Sequence, residues 1–266
     1  MVGILSRHPK QVGAVLPSHY LLALETEGHS PRTLAIYRVI LGGWKRSGLD
    51  PVQYLANLNG HHALSTRRYY GRILKGFLRW SVKHQYLAAN PLEDFHFPPP
   101  PEEPVAPFTD DELRRLRDAC QTPYERVVIA ILAETGMRIS EVAALRPANM
   151  GSGTIHIQNA KGNKARVVAL SSETETMLSV LGNGFNFGDT QAIRRTVKRI
   201  GARAGVSNVY PHRFRHSFAC RALESGMDVL ALQTLLGHSD LSMTRRYVQF
   251  TATERALAAH RKFLGG

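Results

Sequence analysis

The chain has 266 residues, 43% apolar and 21% charged, with 34 Lys and Arg against 21 Asp and Glu, a formal net charge of +13. Length and apolar content support a packed core and exclude wholesale disorder. The charge favours a polyanionic partner, nucleic acid or an acidic membrane surface, while the longest aliphatic run, Val127 to Ala133, falls far short of the roughly 20 residues of a membrane span.

Two cysteines, Cys120 and Cys220, cannot build a disulfide framework or a four-ligand zinc site, which points to a reducing, cytoplasmic setting. The N-terminus lacks the apolar segment and cleavage site of a secretory signal.

In chain order, residues 17–27 predict a short amphipathic helix. Ser30-Pro31 predicts a second, with Ser as N-cap and Pro in the first turn, and Leu34, Tyr37, Leu41 and Trp44 on its apolar face. A third spans about 65–85. Ile73, Phe77 and Trp80 line one side of it, and Arg68, Arg72, Lys75, Arg79 and Lys83 fall within about 80° on the other, at 100° per residue. Five like charges on one face repel unless something neutralises them, so this stripe is expected to contact a DNA backbone.

The stretch F-P-P-P-P-E-E-P-V-A-P, residues 97–107, holds six of the fourteen prolines. Proline removes backbone donors and forces extended conformations, so residues 98–107 read as a linker. It separates a helical N-terminal domain, 1–97, from a second domain, 108–266. Residues 1–97 carry 12 basic and 5 acidic side chains and residues 98–266 carry 22 and 16, so both halves are positive.

Beyond the linker, Thr109-Asp110-Asp111-Glu112 predicts a capping box opening a helix to about Ala119. A buried helix follows over 124–135, ended by Gly136, and another starts near Arg138. Residues 154–159 and 166–170 alternate and predict a hairpin with a basic tip, Lys161 to Lys164. Helices resume over 172–265. The class is mainly α, with an all-helical first domain and a small antiparallel sheet in the second.

Four segments hold groups able to act on a phosphodiester: T-G-M-R-I-S-E-V (135–142), N-A-K-G-N-K-A-R (159–166), P-H-R-F-R-H-S (211–217) and L-G-H-S-D-L-S-M-T-R-R-Y (236–247). Each alone has an ordinary reading, a surface ion pair or a helix cap. No phosphate-binding glycine loop, H-E-x-x-H or two-metal carboxylate cluster accompanies them.

Together, and in this order, they resemble the tyrosine recombinases, the phage-integrase and Xer-type enzymes. The resemblance covers 108–250 and extends less specifically to 1–97, which looks like the family's core-binding DNA-binding domain. It rests on Arg138, Lys161, His212, Arg215, His238 and Tyr247, nine residues after His238, with their flanking text. It implies a catalytic domain in which Arg138, Arg215 and His238 bind the non-bridging oxygens, Tyr247 attacks phosphorus, His212 takes the tyrosine proton, and Lys161 protonates the departing 5′ oxygen. Neither metal nor other cofactor is then required. Glu141 is expected to hold the active-site helix, and Lys164 and Arg166 to continue the basic hairpin onto phosphate. His216 and Arg246 match no motif position.

The implied partner is duplex DNA with inverted half-sites, bound by a homotetramer and acted on by integration, excision or resolution. An accessory recombination factor stays open. So does the tail, 248–266, which in the family often docks on a neighbouring protomer and could equally pack in cis. About 15 residues precede the first helix, too few for the arm-binding domain of lambda-type integrases, so a minimal two-domain enzyme is expected. Two rival readings stand beside this one: a type IB topoisomerase-like relaxing enzyme, and a non-catalytic DNA-binding regulator with the same fold.

Overall fold

The structure is a computed structural model, describing residues 16–98, 106–158, 165–182, 184–237, 247–248, 251–252, 256, 260–261 and 263–264. The chain forms two compact units, 1–102 and 103–266. No helix among the described residues is long and apolar enough to cross a membrane.

The first unit is built from α1 (Leu16–Thr26), α2 (Pro31–Ser47), α3 (Pro51–Asn57) and α4 (Leu64–Lys83). The Ser30 hydroxyl accepts the Thr33 N–H and Pro31 occupies the first turn, so the orphan donors at the start of α2 are met locally. Asp50 and Pro51 repeat the device one helix later, where its carboxylate accepts from Val52 and Gln53. Seven residues are too few for this helix to show a period in the sequence. Leu34, Leu41 and Trp44 of α2 meet Ile73, Leu74, Phe77 and Leu78 of α4 around Tyr20 and Leu55.

The cation stripe of α4 is partly engaged within its own unit. Arg68 donates to the Pro98 carbonyl (2.5 Å), Lys75 to the Glu93 carbonyl (2.6 Å) and Arg79 to the Glu93 carboxylate (3.2 Å), while Arg72 lies over the Tyr69 ring. Phe97 packs so closely on Gly71 that a Cβ there would collide with it. The 92–98 segment thus lies across part of the stripe. Arg72, Arg79 and Lys83 remain exposed.

The second unit is organised around α6 (Pro123–Thr135), which packs against α5 (Asp110–Asp118), α7 (Ile139–Ala144), α8 (Ser172–Val180), α9 (Thr190–Arg203) and α10 (Pro211–Glu224). Its Val127, Val128, Ile129, Ile131 and Leu132 are fully buried, as a central helix requires. The Thr109–Glu112 capping box opens α5 as expected. β1 (Met150–Gly151), β2 (Thr154–Ile157) and β3 (Arg166–Ala169) form one antiparallel sheet in that order. Its register pairs Ile155 with Val168 and Ile157 with Arg166. Ile155, Ile157, Arg166 and Val168 point inward, and His156 and Val167 outward. α11 (Val229–Leu236) packs on α10 and β3. Two carboxylates tie the layers: half-buried Glu112 pairs with Arg213 (2.9 Å), and buried Glu125 with Arg203 (2.5 Å) and Arg199.

Candidate active site

α6 stops at Gly136, whose φ of 60° belongs to the left-handed region and whose missing Cβ leaves room for Phe218 and Leu236. Two residues later Arg138 caps α7. Its backbone N–H is accepted by Glu141 Oε2 (2.7 Å), and its Nη1 donates to Glu141 Oε1 (3.1 Å). Four-residue spacing between the end of one helix and the first turn of the next therefore sets the arginine at a corner, its side chain 26% exposed.

Arg215 comes from α10 and is buried. Its Nη1 donates to the Gly136 carbonyl (2.6 Å) and its Nη2 to the Leu236 carbonyl (2.7 Å). Arg138 reaches the same helix end, at Leu236 (3.4 Å) and Gly237 (3.2 Å). The last carbonyls of α11 thus converge on both arginines, where a helix C-terminus carries partial negative charge.

Burial pushes Arg215 down to about 10, and the like charge of Arg138 adds to the effect; Tyr247 and Glu141 pull the other way. Burial also pushes the Glu141 carboxyl up, but hydrogen bonds from Arg166 and the Arg138 backbone, with both guanidinium charges, more than offset it and leave its pKa below the ordinary value. Among the described residues, Glu141 pairs with Arg138 and Arg166, and its charge also acts on Arg215. The positive charge of the described residues here suits a bound anion.

Tyr247 is 4% exposed and packs among Ala219, Cys220, Leu223, Leu232 and Leu236. Its ring lies 5.5 Å from that of His216 at 37°. His216 is itself buried, with Cys220 Sγ at 3.8 Å from Nε2. This histidine was missed, because only the fold brings α10 to residue 247.

Arg138, Arg215 and Tyr247 are brought together. His212 is exposed on the first turn of α10, one turn before Arg215. Lys161, Lys164 and His238 lie outside the described residues. Arg166 corrects the expectation of a phosphate contact. Its side chain is 3% exposed, and it donates through Nη1 and Nη2 to Glu141 (3.0 and 2.8 Å) and through Nε to the Leu235 carbonyl (2.6 Å).

Gly237 closes α11 at a φ of 62°, and a Cβ on it would lie 2.8 Å from Arg166 Nη1 and 3.1 Å from Cζ. Gly237→Ala is therefore expected to cost about 1–2 kcal/mol from the backbone alone. Thermal unfolding should move down by several degrees. An unchanged melting temperature would show that the turn relaxes freely.

The phage integrase family model matches residues 107–184 and 188–254. The tyrosine recombinase XerA of Thermococcus kodakarensis is 30% identical over 259 residues, 86% of this chain and 88% of that protein. The tyrosine recombinase XerC of Chlamydia trachomatis serovar D is 29% identical over 222 residues, 73% and 69% of the two chains. A lambda integrase fragment, crystallised as a dimer bound to a COC′ core site, superposes with a TM-score of 0.73 at 15% identity, over 86% of this chain and 93% of that one.

Proposed function

The chain belongs to the phage integrase family, the tyrosine recombinases, and on that premise we propose that Tyr247 is the nucleophile of its DNA strand exchange, with Arg138 and Arg215 as the phosphate clamp. The protein is a site-specific tyrosine recombinase, an enzyme that breaks and rejoins DNA. The observation that carries the assignment is the pair of arginines on one helix end beside a buried tyrosine.

Attack on phosphorus builds negative charge on the non-bridging oxygens. Arg138 and Arg215 each offer a planar fork of donors to that charge. His238, in the position of the family's second histidine, adds a donor. The Tyr247 oxygen forms a bond to phosphorus as the bond to the 5′ oxygen breaks. The phenolic proton passes to His212, and Lys161 gives one to the leaving oxygen. The products are a 3′-phosphotyrosyl link and a free 5′-OH. One ester replaces another, so no nucleotide is consumed, and attack by a second 5′-OH reverses the step on the same or a partner strand.

The partner is duplex DNA with inverted half-sites, met by four copies in the cytoplasm at the nucleoid. Supporting this are the net charge of +13, positive in both halves, and the lambda integrase fragment held as a dimer on its core site. Residues 1–97 serve as the core-binding domain, 98–107 as the linker and 108–266 as the catalytic domain. The exposed Arg72, Arg79 and Lys83 supply backbone contacts from α4. Lys164 supplies another from the hairpin.

The test is covalent capture. The protein is incubated with fragmented genomic DNA of its source, boiled in detergent, and the attached DNA sequenced. Adducts at one short sequence are expected. Adducts spread over all sequences would overturn site-specific exchange in favour of relaxation. No adduct, with another recombinase active in parallel, would overturn the assignment of Tyr247.

A further inference from the structure

The charge of β3 does not face the hairpin's outside. Along Arg166-Val167-Val168-Ala169 the side chains alternate, and Arg166 shares the inward face with Val168. There it makes three hydrogen bonds to two different elements. Nη1 and Nη2 grip both oxygens of Glu141 on α7, and Nε holds the Leu235 carbonyl on α11. Its guanidinium packs against Gly237, where any side chain would displace it.

Glu141 in turn accepts the backbone N–H and the Nη1 of Arg138. Arg138 gives each carboxylate oxygen one hydrogen bond, from its backbone and from its side chain. A second guanidinium bound to both oxygens fixes the carboxylate plane. We propose that Arg166 is a positioning residue for DNA cleavage, fixing Glu141 and, through it, the Arg138 fork against the end of α11. It reaches the scissile phosphate only through Arg138, and its place in the first position of β3 ties that fork to the strand leaving the Lys161 hairpin. The inference rests on the reading of Arg138 as a phosphate ligand.

Lysine can replace one of the three hydrogen bonds but not the planar fork. A loosened Arg138 then misplaces the charge that meets the non-bridging oxygen, an error of the kind that costs about 100-fold in rate. The test uses the short duplex recovered by covalent capture, made with an ordinary phosphate or with a methylphosphonate at the scissile position. The methylphosphonate lacks one non-bridging charge, so it has less need of a positioned guanidinium.

Arg166→Lys is expected to bind the duplex within about twofold of the unchanged protein and to form adduct about 10–100-fold more slowly. On one stereoisomer of the methylphosphonate the gap should close to about threefold or less, because there Arg138 has little charge to meet. A gap of equal size on phosphate and on both stereoisomers would overturn the proposal and leave Arg166 a structural residue. So would cleavage at the unchanged rate. Should Arg166→Lys fail to fold, Arg166→Met combined with Glu141→Gln removes both buried charges together and is expected to show the same pattern. Loss of adduct by the unchanged protein would instead overturn the reading of Arg138 and Tyr247 on which the inference stands.

Discussion

Tyr247→Phe will bind the captured DNA site within about threefold of the unchanged protein and form no covalent adduct with it. The substitution removes one oxygen and leaves the ring. That ring keeps its packing on Ala219, Cys220, Leu223, Leu232 and Leu236, and its contact with His216 at 5.5 Å. Lost with the oxygen is at most a hydrogen bond's worth of stability, about 1 kcal/mol. The fold, the arginine pair and the basic surface all persist, so affinity persists too. Covalent chemistry does not, since a nucleophile has no partial substitute once its attacking atom is gone. The measurement is denaturing electrophoresis of end-labelled duplex beside a binding titration. Residual adduct from Tyr247→Phe would mean that another side chain attacks. Loss of binding together with adduct would mean that Tyr247 builds the DNA surface rather than reacting on it.

Much of this arrangement is readable in one dimension. Ser30-Pro31, the Thr109–Glu112 box and Gly136 are local devices, each satisfying or freeing backbone groups within one turn, and the helix boundaries they mark are where the sequence puts them. The mainly α class with one small antiparallel sheet follows from the same local signals. α3 went unread although Asp50-Pro51 carries the same signal as Ser30-Pro31; its seven residues are too few to show a period. β1 has two residues and no pattern at all.

The site divides along the same line. Arg138, Arg215 and Tyr247 can be picked out by order and flanking text, but their meeting at the end of α11 is a product of packing. Arg166 was misread for a physical reason. The tip of its hairpin is basic, and that charge masks the two-residue period. That period sets Arg166 on the face of Val168, toward Glu141. His216 carries no local signal, since its partner lies 31 residues away in sequence and joins it only when α10 receives Tyr247. The α4 stripe is periodic and was found, but the return of Glu93 and Pro98 over it needs a chain reversal that no periodicity records.

Arg215→Gln will reduce adduct formation by about a thousandfold or more, with a far smaller effect on folding. The two effects separate because of the charge balance around the residue. Burial and the neighbouring Arg138 push Arg215 down to about 10 from an ordinary value of 12.5. A base whose pKa is lower in the folded chain holds its proton at a cost to the fold. Below pH 10 that cost is constant, on the order of 3 kcal/mol at about 1.4 kcal/mol per unit. Between about 10 and 12.5 the unfolded chain binds more protons, and stability rises with pH. Glutamine removes this term. It also gives up donors to the Gly136 and Leu236 carbonyls, roughly 1 kcal/mol each. The two changes oppose each other, so the melting temperature at neutral pH should stay within a few degrees. Anions give the converse test. Inorganic phosphate should raise the melting temperature of the unchanged protein more than that of Arg215→Gln, because the latter has lost one of the guanidiniums that would meet it. Equal shifts would place phosphate elsewhere on the basic surface. Cleavage by Arg215→Gln within tenfold of the unchanged rate would remove Arg215 from the clamp, and its costly burial would then need another reason.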